Sequence, residues 1–174
     1  MSLLKKLTGG DFRSKGNSEQ VAAEVLLNPA LFAELFAGLT DADALIRMRA
    51  ADAVEKVTAG RPDLLQPFKS HLLKEVAAIN QQEVRWHVAQ MIPRLTLTST
   101  ERSRAVIILK NYLGDKSSIV KTFSMQALAE LADQNEGLKP EIYSLIKMLT
   151  RTGTPAMKTR GRKLLMALQP KFKL

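Results

Sequence analysis

Few residues in this chain have types and spacings suited to acid–base or metal chemistry. There are two histidines, His71 and His87, one tryptophan, Trp86, and no cysteine. Without cysteine there is no disulfide, thiolate zinc site or cysteine nucleophile. A helical metallohydrolase site of the form H-E-x-x-H needs glutamate directly after a histidine and a second histidine one turn on. Here Leu72 and Val88 follow the histidines, which lie far apart in the chain. No G-x-S-x-G elbow, G-x-x-x-x-G-K-[ST] phosphate loop or G-x-G-x-x-G fingerprint occurs. The stretches "TGGDF" (Thr8 to Phe12) and "RTGTP" (Arg151 to Pro155) carry turn chemistry. Asp41 and Asp43 suit the positive end of a helix dipole. These observations predict a protein that is not an enzyme, with no catalytic residue, no metal and no cofactor. What remains is the adjacent pair Trp86 and His87 within "EVRWHVAQM", Glu83 to Met91. Its meaning depends on which helical face it occupies.

The elements that position this pair are helical. Asn28-Pro29, Lys139-Pro140 and Thr154-Pro155 place proline where a first helical turn tolerates it. "TSTE", Thr98 to Glu101, reads as a capping box. Gly38, Gly60 and Gly114 follow apolar-periodic segments, where left-handed C-terminal caps are expected. Apolar residues recur at three and four rather than at two, which predicts an all-α chain. With 174 residues and 45% hydrophobic content, the chain suits one domain. No apolar run approaches the length of a membrane span. The opening "MSLLKKLTGG" lacks the apolar core of a secretory signal, so a cytoplasmic protein with no membrane partner is expected.

Four segments register with one another: "IRMRAADAVEKV" (Ile46 to Val57), "VRWHVAQMIPRL" (Val84 to Leu95), "VKTFSMQALAEL" (Val120 to Leu131) and "MKTRGRKLLMAL" (Met157 to Leu168). Each opens on an apolar residue followed by a base, Arg47, Arg85, Lys121 or Lys158, at spacings of 38, 36 and 37. A second apolar-periodic stretch and a short polar turn precede each copy. A period of this size with two helices per unit is the mark of an α-solenoid. The pattern resembles HEAT repeats, whose second helices open on a valine-arginine pair, and the resemblance covers about residues 29 to 168. It implies about four HEAT-like helix pairs (a HEAT/armadillo-like solenoid) over residues 18–170. Ser18 to Leu27 would form a short capping helix, residues 1–17 an irregular N-terminal arm, and residues 171–174 a basic tail.

At about 100° per residue, offsets 0, 4, 7, 8 and 11 of each copy fall on one side of the helix. The base at offset 1 lies at the margin of that side. The resemblance implies that it ties neighbouring turns together, with Asp43 and Asp115 as acids and Gln81 and Thr154 in the other units. Pro93 leaves the Ala89 carbonyl unpaired and should bend its helix near the end. Offsets 2, 6 and 9 face away, and in HEAT-like solenoids the second helices line the concave surface. The expected partner-binding residues are therefore Met48, Arg49, Trp86, His87, Gln90, Arg94 and Phe123, with Arg160 at the edge. Aromatic and arginine anchors carry much of the energy at such surfaces. Two readings fit Trp86, recognition or packing between repeats.

Function follows from this as expectation. The first reading is a non-enzymatic interaction and scaffold module that binds a protein partner along the concave surface. The second rests on charge. The chain carries a net +9, and from Lys139 onward nine bases face Glu141 alone, a net +8. Arg151, Lys158, Arg160, Arg162 and Lys163 could then track a nucleic-acid backbone; a solvated basic cap on the last repeat is the plain alternative. The resemblance also touches alkylpurine DNA glycosylases, which need a carboxylate beside aromatic side chains in a basic cleft. Asp52 and Glu55 are the only acids near Trp86 in the stripe. The HEAT-repeat hydroxylases, with histidine-glutamate pairs as di-iron ligands, are not matched.

Overall fold

Each registered segment forms a helix because its apolar positions repeat on one face, and in three of the four a polar side chain caps the start. The computed structural model describes residues 2–169; Lys171 and Lys173 of the expected basic tail lie outside the described residues. A 3-10 turn at Leu3–Leu7 precedes α1, Ser18–Leu27. Four helix pairs follow: α2 (Phe32–Ala37) with α3 (Ala44–Gly60), α4 (Lys69–Lys74) with α5 (Gln82–Met91), α6 (Ser99–Tyr112) with α7 (Ser118–Asp133), and α8 (Lys139–Thr152) with α9 (Pro155–Leu168). No strand occurs among the described residues. The second helices α3, α5, α7 and α9 pack in succession, and α1 packs on α3 from the other side. α1 thus stands where the second helix of a preceding unit would stand, with the Leu3–Leu7 turn against α1, α2 and α3.

Caps set the starts. Asp43 accepts from the Leu45 amide, Ser117 from Val120 and Thr154 from Met157. Thr98 and Glu101 form the expected reciprocal box. The first two units have short first helices eked out by 3-10 turns at Pro29, Pro62 and Pro67, where proline removes an amide donor. Pro93 ends α5 at Met91 and starts a 3-10 turn, Ile92–Arg94. The expected bend is thus a helix end.

The apolar register forms the core. Ile46, Ala50, Ala53, Val54 and Val57 of α3 are buried, as are their counterparts in α5, α7 and α9, with Leu165 alone half-buried. Two of the bases at offset 1, Arg47 and Arg85, reach forward to the next unit. Arg47 donates to the Gln81 side chain at 2.8 Å and to the Asp41 and Ala42 carbonyls of its own turn. Arg85 pairs with Asp115 at 2.6 Å and lies over the Tyr112 ring, 5.4 Å from its centroid. Burial alone would raise the Asp115 carboxyl, but the Ser117 amide and Arg85 hold it below the ordinary value. At the corresponding place between the third and fourth units stands a hydroxyl pair, Ser118 and Thr154, at 2.8 Å. The expected acid in the base's own turn is not its side-chain partner: Asp43 caps its own helix instead.

The glycines differ from expectation. Positive φ occurs only at Gly9, Gly10 and Gly16 among the described residues, so Gly38, Gly60 and Gly114 are not left-handed caps. Gly38 allows close approach instead, since a Cβ there would stand 2.7 Å from Leu4 Cδ2 and 2.9 Å from Ala50 Cβ. Gly161 does the same between α7, α8 and α9, where a Cβ would meet Thr150 Oγ1 at 2.0 Å and Met125 Cε at 2.6 Å. Gly161→Val is expected to cost about 1–3 kcal/mol by overpacking, read as a lower urea midpoint. An unchanged midpoint would show that α8 and α9 separate freely.

Candidate functional site

The column at offsets 2 and 3 changes character along the solenoid. Met48 and Arg49 are buried, with 9% and 1% of their surface exposed, and His87 is buried at 8%. Trp86, Gln90, Phe123 and Gln126 are half-buried, while Thr159, Arg160 and Lys163 are exposed. The first unit's outward face is covered because α1 and the N-terminal segment lie on α3.

Arg49 makes the cover. Its Nη1 donates to the Leu7 and Gly9 carbonyls at 2.7 and 2.5 Å, Nε to Ser14 at 3.2 Å and Nη2 to Asp11 at 3.3 Å. The arm bends around the guanidinium through Gly10 (φ +79°) and Gly16 (φ +54°), and a Cβ on Gly16 would come within 2.8 Å of Arg49 Cζ. Between Leu7 and Ser18 every arm residue is exposed. Arg49 and Met48, expected to face a partner, are thus internal; the register fixes their helical face but not what lies over it.

His87 is the second correction. It packs beside α3, with Nε2 3.9 Å from Asp52 Oδ1 and a buried Nδ1 that has no hydrogen-bond partner among the described residues. Asp52 is already occupied: the Ser18 hydroxyl donates to it at 2.6 Å, and Lys56 pairs with it. Burial would raise the Asp52 carboxyl, yet Lys56 and Ser18 bring it below its ordinary value. For His87 burial dominates over the nearby carboxylates of Asp52 and Glu55, and its pKa falls to about 4. A neutral, buried imidazole suits packing. The Trp86 ring, tilted at 58° and 5.4 Å from that imidazole, packs against the core and is half-buried.

Three second-helix segments meet in a cleft of about 270 Å³. Ala89, Gln90 and Arg94 form one wall; Phe123, Gln126, Ala127 and Glu130 of α7 form the floor; Arg160 of α9 closes the far side. Arg94 is committed: it donates to the Glu55 carbonyl at 2.7 Å and to Thr58 Oγ1 at 2.9 Å, and it pairs with the Glu55 carboxylate. Among the described residues Arg160 reaches only Gln126 Oε1, at 3.1 Å, and Gln126 in turn donates to Glu130 at 2.7 Å. The cleft can hold an apolar side chain over Phe123 and offers amides and one uncommitted guanidinium at its rim. Of the expected partner-binding residues it gathers Gln90, Arg94 and Phe123, together with Arg160 from the basic set. Glu130 was not anticipated; its position one turn after Gln126 on the same face was the available signal.

The basic end spreads over two helices. Arg151 is exposed in the last turn of α8, and Lys158, Arg162 and Lys163 lie on α9 with Lys158 half-buried. None of these four pairs with an acid among the described residues, whereas Lys110 pairs with Glu141 and Lys139 with Glu136. Among the described residues no three histidine, aspartate or glutamate side chains gather as a metal site, and no helix is long and apolar enough to cross a membrane.

The comparisons with known proteins agree with the architecture. A family model described as a HEAT repeat domain matches residues 10–168. No curated protein and no solved structure matches the chain. HEAT repeats generally serve as protein-interaction scaffolds rather than enzymes. With a match over most of its length and stacked helix pairs in register, this chain belongs to the HEAT repeat family.

Proposed function

We propose that the chain is a non-enzymatic interaction module that binds a protein partner along its second-helix face, centred on the cleft between α5, α7 and α9. The carrying observation is that cleft: it brings Gln90, Arg94 and Phe123 together in a lining that mixes Phe123 and two alanines with amide and charged groups. The half-buried Trp86 is a further contact of this face on the α5 side. Met48, Arg49 and His87 have no direct part, since they are internal. A photo-crosslinking amino acid in place of Gln126 tests the site in cells of the source organism. A discrete crosslinked protein is expected there, lost with Phe123→Ala, and none when the probe replaces Ile107 on α6, which is 59% exposed. Equal crosslinking at both positions, or none at Gln126, removes the reading.

A second reading, nucleic-acid binding through Arg151, Lys158, Arg160, Arg162 and Lys163, is favoured by the absence of acidic partners for these bases among the described residues. It requires duplex binding in low salt that weakens steeply as salt rises.

A further inference from the structure

We propose that the cleft takes an acidic protein segment, with an apolar side chain seated over Phe123 and carboxylates held by Arg160 and Lys163. The proposal deepens the interaction reading above and rests on it. Its basis is which charges are already committed. Arg94 is neutralised by Glu55 and anchored to the Glu55 carbonyl and Thr58, so it shapes the wall without offering its charge. Among the described residues Arg160 meets only the neutral Gln126 amide, and an arginine held by a single neutral acceptor has most of its donor fork open to a carboxylate. Lys163 is exposed one turn further along α9. The whole of α9 carries Lys158, Arg160, Arg162 and Lys163 with no acid. Met166, 68% exposed, adds an apolar contact three residues beyond Lys163.

The α7 side of the same cleft selects between classes of acidic partner. Glu130 lines it and Glu55 stands behind Arg94. A phosphate chain, charged at every step, would run past the Glu130 carboxylate and meet its repulsion, with the Arg94 charge already taken by Glu55. A peptide carries carboxylates sparsely and can aim them at α9 while presenting an uncharged residue to α7. Phe123 gives that residue an aromatic surface to cover, the part of such an interface that contributes most. The cleft thus has polarity: apolar contact on α7, anionic contact on α9.

Selection of a random twelve-residue peptide display library on the full chain tests this directly. Wild-type protein is expected to enrich peptides that combine an aromatic or large aliphatic residue with aspartate or glutamate. A synthesised consensus peptide should bind about tenfold or more weakly to Phe123→Ala and to Arg160→Glu. The double reversal Arg160→Glu with Lys163→Glu, at exposed positions that leave the core intact, should shift selection towards basic peptides. Selection of basic or neutral peptides by the wild type, no enrichment at all, or acidic peptides still chosen by the double reversal would each overturn the proposal. Displacement of the consensus peptide by duplex DNA at low salt, with Phe123→Ala leaving DNA affinity unchanged, would give this end to nucleic acid instead. A partner that crosslinks at Gln126 but whose binding ignores Arg160→Glu leaves the interaction reading standing and removes only the acidic specificity.

Discussion

Arg49→Met is expected to destabilise the fold by about 3 kcal/mol and to release the N-terminal arm. The side chain is 1% exposed and bonds four main-chain carbonyls, with no carboxylate to share the charge. Methionine fills much the same volume but has no donor, so those carbonyls lose their partner together. Because no side chain between Leu7 and Ser18 is buried, little else holds this stretch beyond the local turns at Asp11 and Ser14 and the Asn17 bond to the Lys6 carbonyl. Limited proteolysis should therefore cut the variant within residues 8–17 while α5 to α9 remain intact, and urea unfolding should show the lower midpoint. Arg49→Lys should recover only part of the loss, since a compact ammonium cannot span acceptors spread around a planar fork. An arm as resistant in Arg49→Met as in the wild type would show that the guanidinium is a passenger.

Lowering the pH is expected to destabilise the wild type through His87. Its folded pKa is lowered to about 4 by burial, against an ordinary 6.5. The unfolded chain therefore takes up this proton first, so the contribution is whole above pH 6.5 and is lost as the pH falls from there to about 4. Full linkage amounts to about 3 kcal/mol, most of it gone by pH 4.5. The groups facing the imidazole are Asp52, Glu55 and Lys56 from α3 and Gln90 from its own helix. Asp52, with its carboxyl lowered, loses its own contribution only at more acid pH. Urea unfolding at pH 7.5 and pH 4.5 for the wild type and His87→Phe isolates the effect. The wild type should lose about 2–3 kcal/mol more than the variant. Parallel losses would mean that the imidazole is charged in the folded protein.

Much of this architecture was legible in the sequence because it repeats. Ile46, Val84, Val120 and Met157 recur at a near-constant spacing, and helical geometry then assigns each neighbour a face. The buried register, the Thr98 box and the structural use of Arg47 and Arg85 follow from that. The arm did not, because "DFRSKGNS" has no apolar period and binds Arg49 through carbonyls, which every residue possesses and no sequence pattern reveals. Without it, Arg49 and Met48 read as surface. His87 occupies an offset shared with the exposed Arg160, so only the placement of α1 and α3 tells them apart. The cleft was half legible: the repeat register puts Phe123, Gln90 and Arg94 on the second-helix face, but the commitment of Arg94 to Glu55 links residues 39 positions apart. Gly161 looked like a lapse in the pattern and is a point of close helix approach.

The link at one position of the register differs from each unit boundary to the next. A cation meets an amide at Arg47 and Gln81, a cation meets a carboxylate at Arg85 and Asp115, and two hydroxyls meet at Ser118 and Thr154. In a linear array each interface contributes separately to cooperativity, and the fourth unit, whose α8 buries Ile142 and Ile146, packs its second helix on that of a single neighbouring unit among the described residues, so it can open without the rest. Arg160 rides on that unit. Whatever sits between α7 and α9 therefore holds the last pair shut, and a ligand of the cleft is at the same time a clasp on the end of the array.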